Sequence, residues 1–205
     1  MNDPRIGRRA VLSAAGALMA WRAQAQPAAS KPQVALKTSL GVILVELEAA
    51  KAPITCANFL RYAQAGRHDG ANFFRASRTE GAPTTGLIEG RLSTNSAKLF
   101  PPIAHESTLQ TGLRHQDGTL SMARGVIGSA RIDFSICCGP SSYLDADPTA
   151  PGDNAGFAAF GSVIDGMDVV HAILARPTPG KALNPVMQGQ ILEPKVQILS
   201  MKRVA

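Results

Sequence analysis

A chain of 205 residues, 45% of them hydrophobic, is long enough for one domain with a sizeable core plus an N-terminal appendage, and excludes a largely disordered protein. The net charge of +6 is concentrated at one end: Arg5, Arg8, Arg9, Arg22 and Asp3 all precede residue 26, and the remainder carries 17 basic against 14 acidic residues. A surplus of +3 without a Lys/Arg run gives no footing for nucleic acid.

The first element reads as an export signal. Arg5, Arg8 and Arg9 form a positive start, residues 10–21 an apolar stretch, and Ala23-Gln24-Ala25 a small-x-small site, so cleavage is expected after Ala25. The stretch is too short and too rich in alanine to span a hydrocarbon core of about 30 Å, so no stable membrane anchor is expected. Gly7-Arg8-Arg9-Ala10-Val11-Leu12 resembles a twin-arginine export signal, with an ordinary secretory signal as the alternative. Either route puts the mature protein in the periplasm or outside the cell. Residues 26–33, rich in Ala and Pro, read as a flexible leader, and residues 34–205 as the domain proper.

Residues 34–38 and 42–47 are β-rich on either side of Ser39-Leu40-Gly41, which predicts a hairpin. Pro53 suits the first turn of a helix with Ile54, Phe59, Tyr62 and Ala63 on one face and Gly66 as its stop. Short strands are predicted at 72–75, 87–89, 120–123, 132–137, 157–163 and 196–202, the last placed to pair with the first. Asp165 is set to cap a second helix, in which Met167, Val170, His171 and Leu174 recur at helical spacing before Pro177 and Pro179. Residues 76–104 and 144–156 read as long surface loops. Many short strands with two isolated helices predict a mainly β protein, a closed antiparallel barrel without exposed edges.

Three cysteines, Cys56, Cys137 and Cys138, form no CxxC motif. Neighbours on a strand point to opposite faces, so Cys137 and Cys138 are poor partners for each other. Buried small apolar residues is the favoured reading, with a bridge from Cys56 to one of them left open. His68, His105, His115 and His171 lack metal-ligand spacing, so no metal site is expected. No nucleophile elbow or glycine-rich phosphate loop anchors a hydrolase or nucleotide reading.

Five blocks remain to be explained: Thr38-Ser39-Leu40-Gly41, Pro53-Ile54-Thr55-Cys56-Ala57-Asn58-Phe59, Asn72-Phe73-Phe74-Arg75, Gly118-Thr119-Leu120-Ser121-Met122-Ala123-Arg124 and Phe160-Gly161-Ser162-Val163-Ile164-Asp165-Gly166-Met167. In this order, from about Val34 to Val204, the chain is similar to the cyclophilin family of peptidyl-prolyl cis-trans isomerases. The resemblance implies an eight-stranded barrel with two α-helices, acting on X-Pro bonds of proline-containing peptides or unfolded chains without a cofactor. A monomer is expected, because a closed barrel has no obligatory unpaired edge.

The chemistry so implied is modest in its parts. Rotation about a peptide bond faces a barrier of about 18–20 kcal/mol, and a catalyst needs only to bind the twisted amide better than either planar form. Arg75 matches the family's catalytic arginine, a donor to the prolyl nitrogen or the adjacent carbonyl. One such charge-assisted bond contributes about 1.5–3 kcal/mol, on the order of one to two decades in rate. Around it the resemblance places substrate contacts at Phe74, Leu87, Glu89, Ala123, Arg124, Asp133, Ser135, Tyr143, Leu144 and Phe157.

Alternation along the strands puts Phe73 and Arg75 on one face with Phe74 on the other, and sends Ile132, Phe134 and Ile136 to the core while Asp133 and Ser135 face the groove. Phe74 stands where the family commonly has histidine or tyrosine. Two departures matter more. Glu89 replaces the glutamine that orients the arginine, and Ser135 replaces a phenylalanine floor for the proline ring. Phe157, roughly where the family has a groove histidine, is expected to refill that volume. The alternative to an isomerase is a non-catalytic proline-peptide binding module or holdase on the same barrel.

Overall fold

A computed structural model describes residues 30–66 and 70–204; the export signal, its cleavage site, the first half of the leader and His68 lie outside them. Eight strands close into one antiparallel barrel. They are β1 (Gln33–Thr38), β2 (Gly41–Leu47), β3 (Asn72–Thr79), β4 (Ala82–Arg91), β5 (Thr119–Met122), β6 (Asp133–Cys138), β7 (Ala158–Asp165) and β8 (Ile191–Arg203). Around the barrel the order is β1-β2-β7-β5-β6-β4-β3-β8, and β8 pairs with both β1 and β3.

Alternation decides what enters the barrel. In β6, Phe134, Ile136 and Cys138 belong to the main core, whereas Cys137 packs outside the barrel with Leu87, Leu144 and Phe157. All three cysteines are free and buried, and burial pushes the thiols up to about 12 in Cys56, about 11 in Cys137 and about 12 in Cys138. Four rings fill the centre. Phe134 meets Phe59 at 5.4 Å and Phe73 at 5.7 Å between centroids, both edge-on, and Phe59 lies 5.4 Å from Phe160. Gly90 lets two of them close up, since a Cβ there would stand 2.9 Å from Phe134 Cε1 and 3.0 Å from Phe73 Cδ1.

Helix α1 (Pro53–Gln64) starts on its proline and buries Phe59, Tyr62 and Ala63, but Ile54 is exposed; the buried face is completed by Thr55, Cys56 and Asn58. Glu106 explains the shift. Its carboxylate accepts from the backbone N–H groups of Ile54 and Thr55 and from the Thr55 hydroxyl, at 2.7–3.0 Å, so the first turn faces a polar partner. Helix α2 (Thr108–Thr111) is a single turn with a Ser107–Gln110 capping box, too short for apolar periodicity to announce, so the described residues form three α-helices rather than two.

Helix α3 (Met167–Leu174) buries Val169, Val170, Ile173 and Leu174, and leaves His171 exposed. Its N-cap is Gly166, at φ 86°, rather than Asp165, which belongs to β7 and accepts the Gly166 N–H instead. A side chain at 166 would strike the Val42 carbonyl, so this turn belongs to glycine.

The stretch 76–104 is less irregular than its composition predicts. Its first half is the end of β3 and all of β4, turning at Glu80 and Gly81. Residues 145–157 do form a loop. At the other end of the domain, Lys31 reaches Glu48 at 2.6 Å and Glu46 at 3.3 Å, tying the last residues of the leader to β2. Among the described residues no helix is long and apolar enough to cross a membrane.

Candidate active site

The outer face of β3, β4, β6 and β5 carries one polar row. Arg75 faces Glu89, Glu89 faces Ser135, and Ser135 faces Ser121, each across one strand boundary. The next row along, Ser77, Leu87 and Cys137, turns apolar at its centre. Above them a cavity of about 290 Å³ is lined by Arg75, Leu87, Glu89, Ser121, Ala123, Ser135 and, from the far wall, Arg124, Tyr143, Leu144 and Phe157.

Eight of the ten contacts expected around Arg75 therefore meet in one hollow; Phe74 and Asp133 do not. A bulge at Phe74 breaks the register of β3, so Phe73 enters the core while Phe74 and Arg75 both turn outward, and Ala76 goes back in. Strict alternation would have set Phe73 and Arg75 on one face. Phe74 lines a neighbouring pocket, where the Arg91 guanidinium sits 5.3 Å from its ring centroid. Asp133 borders the hollow's two neighbours and is held by Arg91 through two bonds of 2.7 Å.

Arg75 is clamped on two sides. Its Nη1 donates to Glu89 Oε2 at 2.7 Å and its Nε to Gln190 Oε1 at 2.8 Å. Nη2 has no acceptor among the described residues, so its two N–H groups are available to a ligand there. The pair is largely dry, at 17% and 8% side-chain exposure. Burial raises the pKa of Glu89 above the usual carboxylate range, although Arg75 beside it pulls the other way.

Gln190 has no counterpart in the sequence reading. It comes from the segment before β8, whose backbone carbonyl also accepts from Ala76 N at 2.9 Å. Its only sequence signal is position, one residue before a strand that pairs with β3.

Ser121 is the second unforeseen member. His115, fully buried, accepts or donates at Ser121 Oγ through Nε2 (2.8 Å) and meets Asp145 Oδ1 through Nδ1 (2.7 Å). Asp145 Oδ1 also takes the His115 backbone N–H at 3.1 Å, so the carboxylate requires a proton on Nδ1, and Nε2 is then the acceptor of the Ser121 hydroxyl. Burial lowers the His115 pKa, against the pull of Asp145, and so favours this neutral form. With its proton turned to His115, Ser121 presents lone pairs to the hollow. The link of His115 to the groove leaves no mark in the sequence, because Asp145 lies 30 residues on.

The far wall is built by Arg124. Its guanidinium bonds Asp153 at 2.6 and 2.9 Å and the Gly156 carbonyl at 2.6 and 2.8 Å, and lies 5.3 Å from the Phe157 centroid. Its hydrogen bonds hold the Asp153 carboxyl down at about 2. Arg124 thus pins the 145–157 loop, and Phe157 comes to stand in the same hollow as Ser135, beside Leu87 and Leu144. Tyr143, 70% exposed, stands at the rim. Among the described residues no cluster of His, Cys, Asp and Glu is arranged to hold a metal.

Residues 33–203 match the family described as cyclophilin type peptidyl-prolyl cis-trans isomerase/CLD. A peptidyl-prolyl cis-trans isomerase of Acinetobacter baylyi is 35% identical over 152 residues, covering 74% of this chain and 76% of its own length. The Arabidopsis thaliana isomerase CYP18-2 is 30% identical over 176 residues, 84% of this chain and 98% of the relative. In three dimensions the chain resembles a Cryptosporidium parvum cyclophilin type isomerase, with a TM-score of 0.67 at 18% identity over 85% of this chain and 98% of that one. A second crystal structure of that protein, in the presence of the dipeptide Ala-Pro, gives a TM-score of 0.65 over 84% and 99%.

Proposed function

The chain belongs to the cyclophilin-type peptidyl-prolyl cis-trans isomerase family (EC 5.2.1.8), and on that premise we propose that it accelerates X-Pro isomerisation in exported or unfolded proteins, with Arg75 stabilising the twisted prolyl amide. The observation that carries this is the Nη2, without an acceptor among the described residues, of a guanidinium fixed by Glu89 and Gln190 beside a hollow with an apolar wall. A fixed donor loses little freedom when the amide twists, so its bond to the prolyl nitrogen strengthens only as that nitrogen becomes pyramidal. Leu87, Leu144 and Phe157 would seat the ring, and Ala123 would leave room for the peptide backbone.

Export to the periplasm rests on the Arg8-Arg9 start and the Ala23-Gln24-Ala25 site, and a monomeric state on the closure of the barrel. A protease-coupled assay on a prolyl peptide tests the main reading: the wild type turns over and Arg75→Ala loses roughly one to two decades in kcat/KM, as one charge-assisted bond predicts. Absence of turnover in both supports a second reading, a binding module or holdase. That reading draws on Ser135 at the floor and on the ion pair that occupies Nη1 of Arg75.

A further inference from the structure

Beside the groove, on the far side of Glu89 and Met187, lies a second pocket of about 290 Å³. Its lining is mainly apolar. Phe74 reaches it through the bulge in β3; Leu183, fully exposed, and Met187 come from the segment before β8; Ile191 opens that strand. Its charges do not balance. Of the two carboxylates that border it, Glu89 is paired with Arg75 and Asp133 with Arg91, while Lys181 and Lys195 have no ion-pair partner among the described residues.

An apolar floor under two unmatched ammonium groups suits one chemistry, an apolar or aromatic side chain with a carboxylate beside it. We propose that this pocket is a second subsite of the isomerase, which takes an aromatic-acidic pair of a client chain whose proline sits in the groove. The proposal rests on the isomerase reading for the identity of that client. The two sites share Glu89 and Met187, so one extended peptide passes from one to the other without leaving the surface. Clients with a Phe-Glu or similar pair a few residues from the proline are then preferred over those with small neutral residues there.

Three sets of labelled peptides test this by fluorescence anisotropy and by protease-coupled turnover: Ala-Ala-Pro-Ala alone, the same peptide extended by Gly-Phe-Glu, and the same peptide extended by Gly-Ala-Gln, each extension placed in turn before and after the proline. On one side the Phe-Glu extension is expected to bind at least about fivefold tighter than Ala-Gln, or ~1 kcal/mol. Lys181→Glu with Lys195→Glu, both on exposed side chains, is expected to erase that gain and leave kcat/KM for the short peptide unchanged. Equal affinity of the two extensions on both sides overturns the subsite, as does a gain that survives charge reversal. Absence of turnover of the short peptide by the wild type overturns the isomerase reading instead, and the anisotropy comparison still decides the subsite.

Discussion

The two faces of β3, β4, β5 and β6 use one backbone for opposite ends. Inward they present Phe73, Ile88, Leu120 and Phe134, side chains that ask of their neighbours only shape. Outward they present Arg75, Glu89, Ser121 and Ser135, and two of these four are held by residues from outside the four strands: Gln190 on Arg75, and His115 with Asp145 on Ser121. The interior is therefore stable by packing, whereas the groove is only as well ordered as the hydrogen bonds that brace it. Substitutions inside should unfold the protein without a special effect on chemistry, and substitutions outside should alter chemistry, or its pH dependence, in a barrel that still forms.

Phe134→Ala is the hardest test of that division. Removing the ring that touches Phe59 and Phe73 should cost about 3–5 kcal/mol of stability by denaturant titration, with kcat/KM near wild type for whatever remains folded; a variant as stable as the parent would mean the aromatic cluster is not the core. His115→Gln should cost less, about 1–3 kcal/mol, because a buried hydroxyl and carboxylate lose their shared partner. Its signature is in pH. The folded-state pKa of His115 lies below 6.5, so its contribution is complete above that value and is lost as pH falls through the depressed one. Thermal melts of the wild type should show that acid limb and the glutamine variant should lack it.

Phe157→Ala should weaken proline-peptide binding roughly tenfold, about 1.4 kcal/mol, if Phe157 stands in for the missing floor at Ser135; unchanged affinity ends that idea. The smallest effect is expected from Glu89→Gln, a gain of about threefold in kcat/KM, ~0.6 kcal/mol, as a neutral amide keeps its bond to Arg75 but competes less with substrate. Here the sign is reversed from His115. The Glu89 pKa is raised in the fold, so its contribution to stability is complete below about 4.5 and is lost as pH rises through the raised value. Wild-type stability should fall across that window relative to the glutamine variant.

The barrel was legible because period-two alternation survives in most strands. Phe134 and Ser135 could be assigned to opposite faces from sequence, and Cys137 and Cys138 likewise. What escaped falls into two physical classes. One is local irregularity: the bulge at Phe74 adds a residue without a compositional mark, and the αL glycine at 166 outcompetes the aspartate that precedes it as a cap. The other is convergence of distant segments. Gln190 lies 115 residues from Arg75, and nothing in the neighbourhood of either announces the other. The resemblance to a family located Arg75 and the hollow, but could not supply a clamp drawn from a different part of the chain.

The closing stave has a consequence for how the molecule is made. Val34 pairs with Arg203 and Phe73 with Val196, so β1 and β3 each wait for the same later strand, β8. Until it is synthesised, two strand edges stay open and the centre of the barrel stays wet, which favours slow assembly from long-range contacts and a spell of vulnerability to aggregation. A protein proposed to help other chains over their slow step is thus itself a late finisher.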